Sequence, residues 1–266
     1  MPSQSLAEIP LNLDEIESFA QALAERAGGL SRRWFRSSLA VDTKLDLSPV
    51  TIADREIEAA LRAQIAERFP SHGILGEEHG RERLDADLVW VIDPIDGTRS
   101  FISGWPIYGM LLALLHHGEP ALGVIDMPIL KERWIGRRDL GTTLNGVPCR
   151  TSGCRSLADA CLYTTSPDAF DAEGLQRFET ISELVRTRRF GGDCYSYGLL
   201  ASGHIDLVIE AGLQPYDYMS LVPIIGGAGG VITDWAGQAL TIASDGKVVA
   251  AASPELHAEA LQALWA

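Results

Sequence analysis

Five short apolar runs, each closed by turn residues, follow one another at residues 73–75, 88–92, 108–115, 121–125 and 133–135. Runs of that length bounded by Gly, Pro, Asn and Asp predict strands. Leu144-Asn145-Gly146-Val147 adds an Asn-Gly turn, which predicts a hairpin and hence a largely antiparallel sheet. Ahead of the sheet, Asn12-Leu13-Asp14-Glu15 has a capping residue with Glu three later, and Leu13, Ile16, Phe19, Ala20 and Leu23 recur at helical spacing. This predicts a first helix that stops at Gly28-Gly29. A second helix opens at Thr51-Ile52-Ala53-Asp54, keeps Ile57, Leu61 and Ile65 on one stripe and ends at Pro70.

Beyond residue 150 the texture alternates. Strands are predicted at residues 160–163, 187–190, 207–209, 231–233 and 248–251, with helices at 172–185, 194–202, 216–226 and 254–264. The 266 residues thus read as an N-terminal α+β lobe over residues 1–150 and a C-terminal α/β lobe over residues 151–266. No long polar linker parts them, so one compact unit is expected.

Apolar residues make up 46% and charged residues 22% of the chain, a globular balance. The net charge of −14 repels phosphate backbones and argues against a nucleic-acid partner. Cys149, Cys154, Cys161 and Cys194 show no C-x-x-C spacing, so packed thiols are expected. The first ten residues lack a signal-peptide pattern. The longest uncharged apolar stretch, residues 221–232, contains Pro223 and falls short of the roughly 20 residues that span a bilayer. A cytoplasmic protein without a membrane partner is the expectation.

The chemistry concentrates in Asp93-Pro94-Ile95-Asp96-Gly97-Thr98, which takes an apolar strand into a turn bearing two carboxylates. A strand end holds a side chain rigidly, Pro94 fixes a backbone angle, and two hard oxygen donors can converge on a cation. Gly97 lets backbone amides approach an anion, and a helix starting at Thr98 would add its free N–H groups. Taken alone, D-x-x-D-G also reads as an ordinary Asx turn. Gly76-Glu77-Glu78 places further carboxylates at a strand end, and Asp217 starts a helix, where a simple N-cap reading also holds. Together Glu77, Asp93, Asp96 and Asp217 can supply what two adjacent divalent cations need.

These residues, with Tyr216-Asp217 followed by Gly226-Gly227-Ala228-Gly229-Gly230, resemble the inositol monophosphatase family of magnesium-dependent phosphatases across residues 12–264. Within that family, residues 189–198, with Gly203-His204-Ile205-Asp206 and Pro215-Tyr216-Asp217-Tyr218, look like the histidinol-phosphatase branch. The resemblance implies an α/β fold, a layered α/β/α/β/α sandwich, commonly assembled as a homodimer, with two or three Mg²⁺ ions per subunit. It implies that Glu77, Asp93 and the carbonyl of Ile95 hold the first magnesium, and that Asp93, Asp96 and Asp217 hold the second. A water activated by Glu77 and Thr98 would attack phosphorus in line, the second metal would stabilise the departing alkoxide, and no phosphoenzyme is expected. Asp54 would orient Thr98 or hold the third, weaker metal. The amides of Gly97 and Thr98 are expected to hold the equatorial phosphate oxygens.

The resemblance implies L-histidinol phosphate as the substrate, and one physical point agrees with it, that Asp193 and Glu210 can receive its ammonium and imidazole. Inositol 1-phosphate or a broad range of sugar phosphates is the alternative, and a catalytically silent phosphoester-binding regulator is the reading from another class. Among Arg186, Arg188 and Arg189, Arg189 is the best candidate for a phosphate contact. His116-His117 reads as a solvated turn, and Trp90 and Trp105 as core or wall of the site.

Overall fold

The structure, a computed structural model, describes residues 11–38, 41–43 and 49–266. The first part of the chain runs α1 (Leu13–Trp34), β1 (Val41–Thr43), β2 (Pro49–Thr51), α2 (Ile52–Arg68), β3 (Gly73–Gly76), β4 (Gly80–Glu82) and β5 (Leu88–Asp96). It continues through α3 (Thr98–Ser103), β6 (Gly109–His116), β7 (Glu119–Met127), β8 (Glu132–Arg137), β9 (Gly141–Leu144) and β10 (Val147–Pro148). The second part comprises β11 (Cys161–Thr164), α4 (Ala172–Ser182), β12 (Thr187–Phe190), α5 (Cys194–Ala201) and β13 (Leu207–Glu210). It ends with α6 (Pro215–Tyr218), α7 (Leu221–Gly227), β14 (Val231–Asp234), β15 (Val248–Ala251) and α8 (Pro254–Leu264).

β3 to β10 form an eight-stranded sheet in the order β10-β9-β8-β7-β6-β5-β3-β4, antiparallel except where β3 meets β5. Asn145 and Gly146 both take positive φ at the β9–β10 hairpin, as the Asn-Gly turn requires. The apolar runs are continuous because this sheet is covered on both faces. Trp90, Ile92, Leu112, Leu114, Leu122 and Val124 pack with Ile16, Leu23, Ile57 and Leu61 of α1 and α2. Their neighbours Val89, Val91, Leu111, Ala113 and Ile125 point the other way, toward Tyr197 of α5 and Leu221 and Ile224 of α7. The same inner layer meets Val208, Val248 and Ala250 of the second sheet. That five-stranded sheet, in the order β12-β11-β13-β15-β14, buries Leu207, Ile209 and Val249 against Phe178 of α4 and Leu256 and Ala260 of α8. The layers are therefore α/β/α/β/α.

Two local expectations are corrected. α1 does not stop at Gly28-Gly29 but runs to Trp34. A Cβ on Gly28 would lie 3.2 Å from Asp126 Oδ2 and 3.3 Å from Pro128, so this glycine lets the helix press on the end of β7 rather than ending it. The helix expected at residues 216–226 is divided into α6 and α7. Met219 and Ser220 between them keep helical angles, but Pro223 has no N–H to return to Met219, and the ladder breaks there. α7 lies directly on the large sheet over the paired Gly123 and Gly136. A Cβ at Gly136 would stand 2.4 Å from the backbone of Ile224.

All four cysteines are free thiols. No described helix is long and apolar enough to cross a membrane.

Candidate active site

The site forms where β5 leaves its sheet. Pairing with β6 shifts register between Asp93 and Asp96, because Pro94 has no N–H for the ladder. Asp93, 2% exposed, turns its Oδ1 to accept the N–H of Ile95 at 3.0 Å. Gly97 follows with φ +80°, a conformation in which side chains are disfavoured. A Cβ there would also come within 2.9 Å of Asp193 Oδ2. Thr98 then opens α3, and its hydroxyl donates to the carbonyl of Ile95 at 3.0 Å.

The parallel pairing of β3 with β5 sets Gly76 opposite Ile92, so the next residue on each strand is a carboxylate. The N–H of Glu77 donates to the Ile92 carbonyl at 3.2 Å, and the Glu77 carboxyl is close enough to Asp93 to raise its pKa. Asp217 arrives from the inner helical layer. It is the third residue of α6 rather than an N-cap, and its Oδ2 accepts the N–H of Gln214 at 2.7 Å. Asp96 Oδ2 accepts the N–H of Cys194, the first residue of α5, at 2.6 Å. One oxygen each of Asp93, Asp96 and Asp217 lies within 4.8 Å of the others.

Burial is the largest force on these groups and raises all three pKa values. Repulsion from Glu77, Asp96 and Asp217 pushes Asp93 further, and Asp193 and Asp217 do the same to Asp96. Asp217 is raised to about 7, with the Gln214 N–H opposing the rise. The cluster is thus a set of hard oxygen donors that lacks positive charge of its own, which fits Mg²⁺. A pH dependence follows. The unfolded Asp217 carboxyl ionises near 3.8, whereas the folded, ion-free chain keeps its proton to about 7. The native state binds more protons across that interval, so its stability falls as pH rises through it. Thermal unfolding in chelator at about pH 5 and about pH 7.5 should give the lower midpoint at the higher pH. An equal or higher midpoint there would contradict the assignment.

Beside the cluster is a cavity of about 330 Å³ whose lining includes Asp96, Arg99, Asp168, Asp193, Glu210 and Asp217. Asp193 occupies the N-cap position of α5 but makes no capping bond. Its carboxylate accepts the Ser100 hydroxyl at 3.0 Å, and its backbone is held at φ +46°. Burial raises its pKa to about 6; Glu210 adds to the rise, and Ser100 and Arg99 oppose it. Glu210 accepts the Thr165 N–H at 2.9 Å and the Tyr197 hydroxyl at 2.8 Å.

Asp54 is buried at the third position of α2, where its Oδ2 accepts the N–H of Thr51 at 2.8 Å and its hydroxyl at 2.7 Å. The Thr98 hydroxyl meanwhile gives its proton to Ile95. Arg189 lies on the exposed edge strand β12 and does not line the cavity. The guanidinium that does so is that of Arg99, which the sequence reading passed over although it adjoins Thr98. Asp168 and Ser100 were also missed. Ser100 was legible as a neighbour of the D-G-T turn, whereas Asp168 comes from a remote 3₁₀ turn with no motif. Trp90 is fully buried and donates to His72 Nδ1 at 3.1 Å, while Trp105 is 51% exposed. His117 forms the β6–β7 turn with positive φ.

The chain matches the inositol monophosphatase family over residues 12–266. It is 48% identical to a chloroplastic bifunctional phosphatase of Arabidopsis thaliana over 261 residues, 95% of this chain and 75% of that protein. A histidinol-phosphatase of Chlorobaculum parvum is 37% identical across 87% of this chain and 90% of its own length. Among solved structures, an inositol monophosphatase from Zymomonas mobilis matches with a TM-score of 0.89 at 45% identity, covering 96% of this chain and 100% of that one.

Proposed function

The chain belongs to the inositol monophosphatase family, and from that premise we propose that this phosphatase hydrolyses L-histidinol phosphate with Mg²⁺. The observation that carries the substrate is the charge of the cavity. Among the described residues its lining outside the cation ligands Asp96 and Asp217 holds the carboxyl groups of Asp168, Asp193 and Glu210 against the single guanidinium of Arg99. An alcohol bearing an ammonium and an imidazole gains charge-assisted hydrogen bonds in such walls, and a polyol does not. The histidinol-phosphatase similarity supports the same reading.

Glu77, Asp93 and the Ile95 carbonyl would hold one magnesium, and Asp93, Asp96 and Asp217 another. Bound there, magnesium supplies the positive charge that offsets a dianionic ester and lowers the cost of ionising water. The chain's own groups do the rest. Because the Thr98 hydroxyl donates to Ile95, its oxygen has only lone pairs to offer and orients a water by accepting one of its protons. Glu77 takes a proton from that water as its oxygen bonds to phosphorus. The amides of Gly97 and Thr98 hold the equatorial oxygens, and the bond from phosphorus to the alcohol oxygen breaks in line with the new one; the departing alkoxide, its charge stabilised by that of a magnesium held by Asp93, Asp96 and Asp217, takes a proton from solvent. Asp54 fixes the start of α2 behind this turn. Asp193 and Glu210 face the leaving alcohol.

Asp193→Asn is the test of the substrate assignment, since it preserves shape and removes charge. A charge-assisted bond contributes roughly 1.5–3 kcal/mol, so kcat/KM for histidinol phosphate is expected to fall by about 10- to 100-fold. Hydrolysis of glycerol 2-phosphate should be nearly unchanged. Equal losses on both esters would remove Asp193 from substrate recognition.

A further inference from the structure

We propose that the buried Glu58 and its partner Arg62 are the positioning device that holds Glu77 in the cation site. The proposal rests on Glu77 being a cation ligand, as read above, and names residues that never touch the cation. Glu58 is 0% exposed, lies one helical turn after Asp54 on α2, and turns into the loop that follows β3. Its Oε2 accepts the N–H of Glu78 at 2.6 Å, and its Oε1 accepts that of His79 at 3.1 Å. Arg62, one turn further along α2, donates from Nε to Glu58 Oε1 at 2.7 Å and from its other arm to the carbonyl of Gly80. The histidine ring adds a contact between Nε2 and the Arg55 carbonyl at 3.1 Å.

Glu77 is therefore the first residue of a short loop whose next residues Glu78, His79 and Gly80 are tied down by two side chains of one helix. The fit is tight on the near side as well. A Cβ at Gly76 would lie 2.0 Å from Glu58 Oε1, so the glycine of the G-E-E motif is required by the approach of Glu58. A buried carboxylate is costly unless paired and hydrogen-bonded. Here the partners include the backbone amides that set the direction of the Glu77 side chain, and such orienting partners typically change metal affinity by 10- to 100-fold when removed.

Glu58→Gln retains the shape but points an amide NH₂ at groups that are all donors. Arg62→Gln keeps Glu58 but removes the guanidinium that links it to the Gly80 carbonyl. Isothermal titration of the ion-free chain with Mn²⁺ is the measurement, beside the thermal midpoint in chelator. Both variants should bind Mn²⁺ about 10- to 100-fold more weakly than the parent while still unfolding cooperatively. If either folded variant binds Mn²⁺ like the parent, the pair only packs α2 and the proposal is overturned. A parent chain that binds no Mn²⁺ would instead overturn the reading of the cation site itself.

Discussion

Asp93→Asn and Asp217→Asn should each lower Mg²⁺-dependent phosphate release by about a thousand-fold or more, because each replaces a charged ligand of a hard cation by a neutral amide. The fold should survive both changes. Asn at either position retains an oxygen for the N–H of Ile95 or Gln214 that the native carboxylate accepts. The ion-free Asp93→Asn protein is in fact expected to melt higher than its parent. Burial and three neighbouring carboxylates already disfavour the Asp93 charge, and the amide carries none. Loss of activity with gain of ion-free stability is a signature that a merely structural aspartate does not produce. Phosphate release and thermal melts in chelator check the two halves. A variant with near-parental turnover would remove that residue from the cation site.

The legible part of this site was the part built by adjacent residues. Asp93, Asp96 and Thr98 sit on one turn after a strand, and both the rigidity of the strand end and the freedom of Gly97 can be read from the sequence. Their meeting with Glu77 needed the parallel register of β3 and β5. A sequence that also predicts antiparallel neighbours does not supply this. Asp217 looked like a capping residue, and it does accept the Gln214 N–H; the same geometry aims its second oxygen elsewhere, so the two readings were never exclusive. Arg189 looked basic and near a Gly-Gly-Asp turn, yet it belongs to an exposed edge strand. Arg99 took its place because α3 starts beside the cavity. Gly28 and Pro223 show the same limit at the level of the fold. Gly28 permits close packing inside a helix, and Pro223 removes one hydrogen bond without ending the helical path.

Thr98→Ala should lower kcat by about 100-fold with little change in KM. The hydroxyl is fixed by its own donation to Ile95, so what it offers a water is orientation, and orientation counts mainly in the transition state. Steady-state kinetics on histidinol phosphate separates the outcomes. A rise confined to KM would make Thr98 a ground-state contact to the ester instead.

In the function proposed above, an acidic cavity beside an oxygen-donor cation site selects a cationic phosphate ester. Initial rates of phosphate release from L-histidinol phosphate and inositol 1-phosphate, at matched Mg²⁺, measure that selection. A preference of at least about tenfold in kcat/KM for histidinol phosphate is expected from one charge-assisted bond, with no release from either ester in chelator. Equal rates, or a preference for inositol 1-phosphate, would show that the cavity does not select a cationic ester.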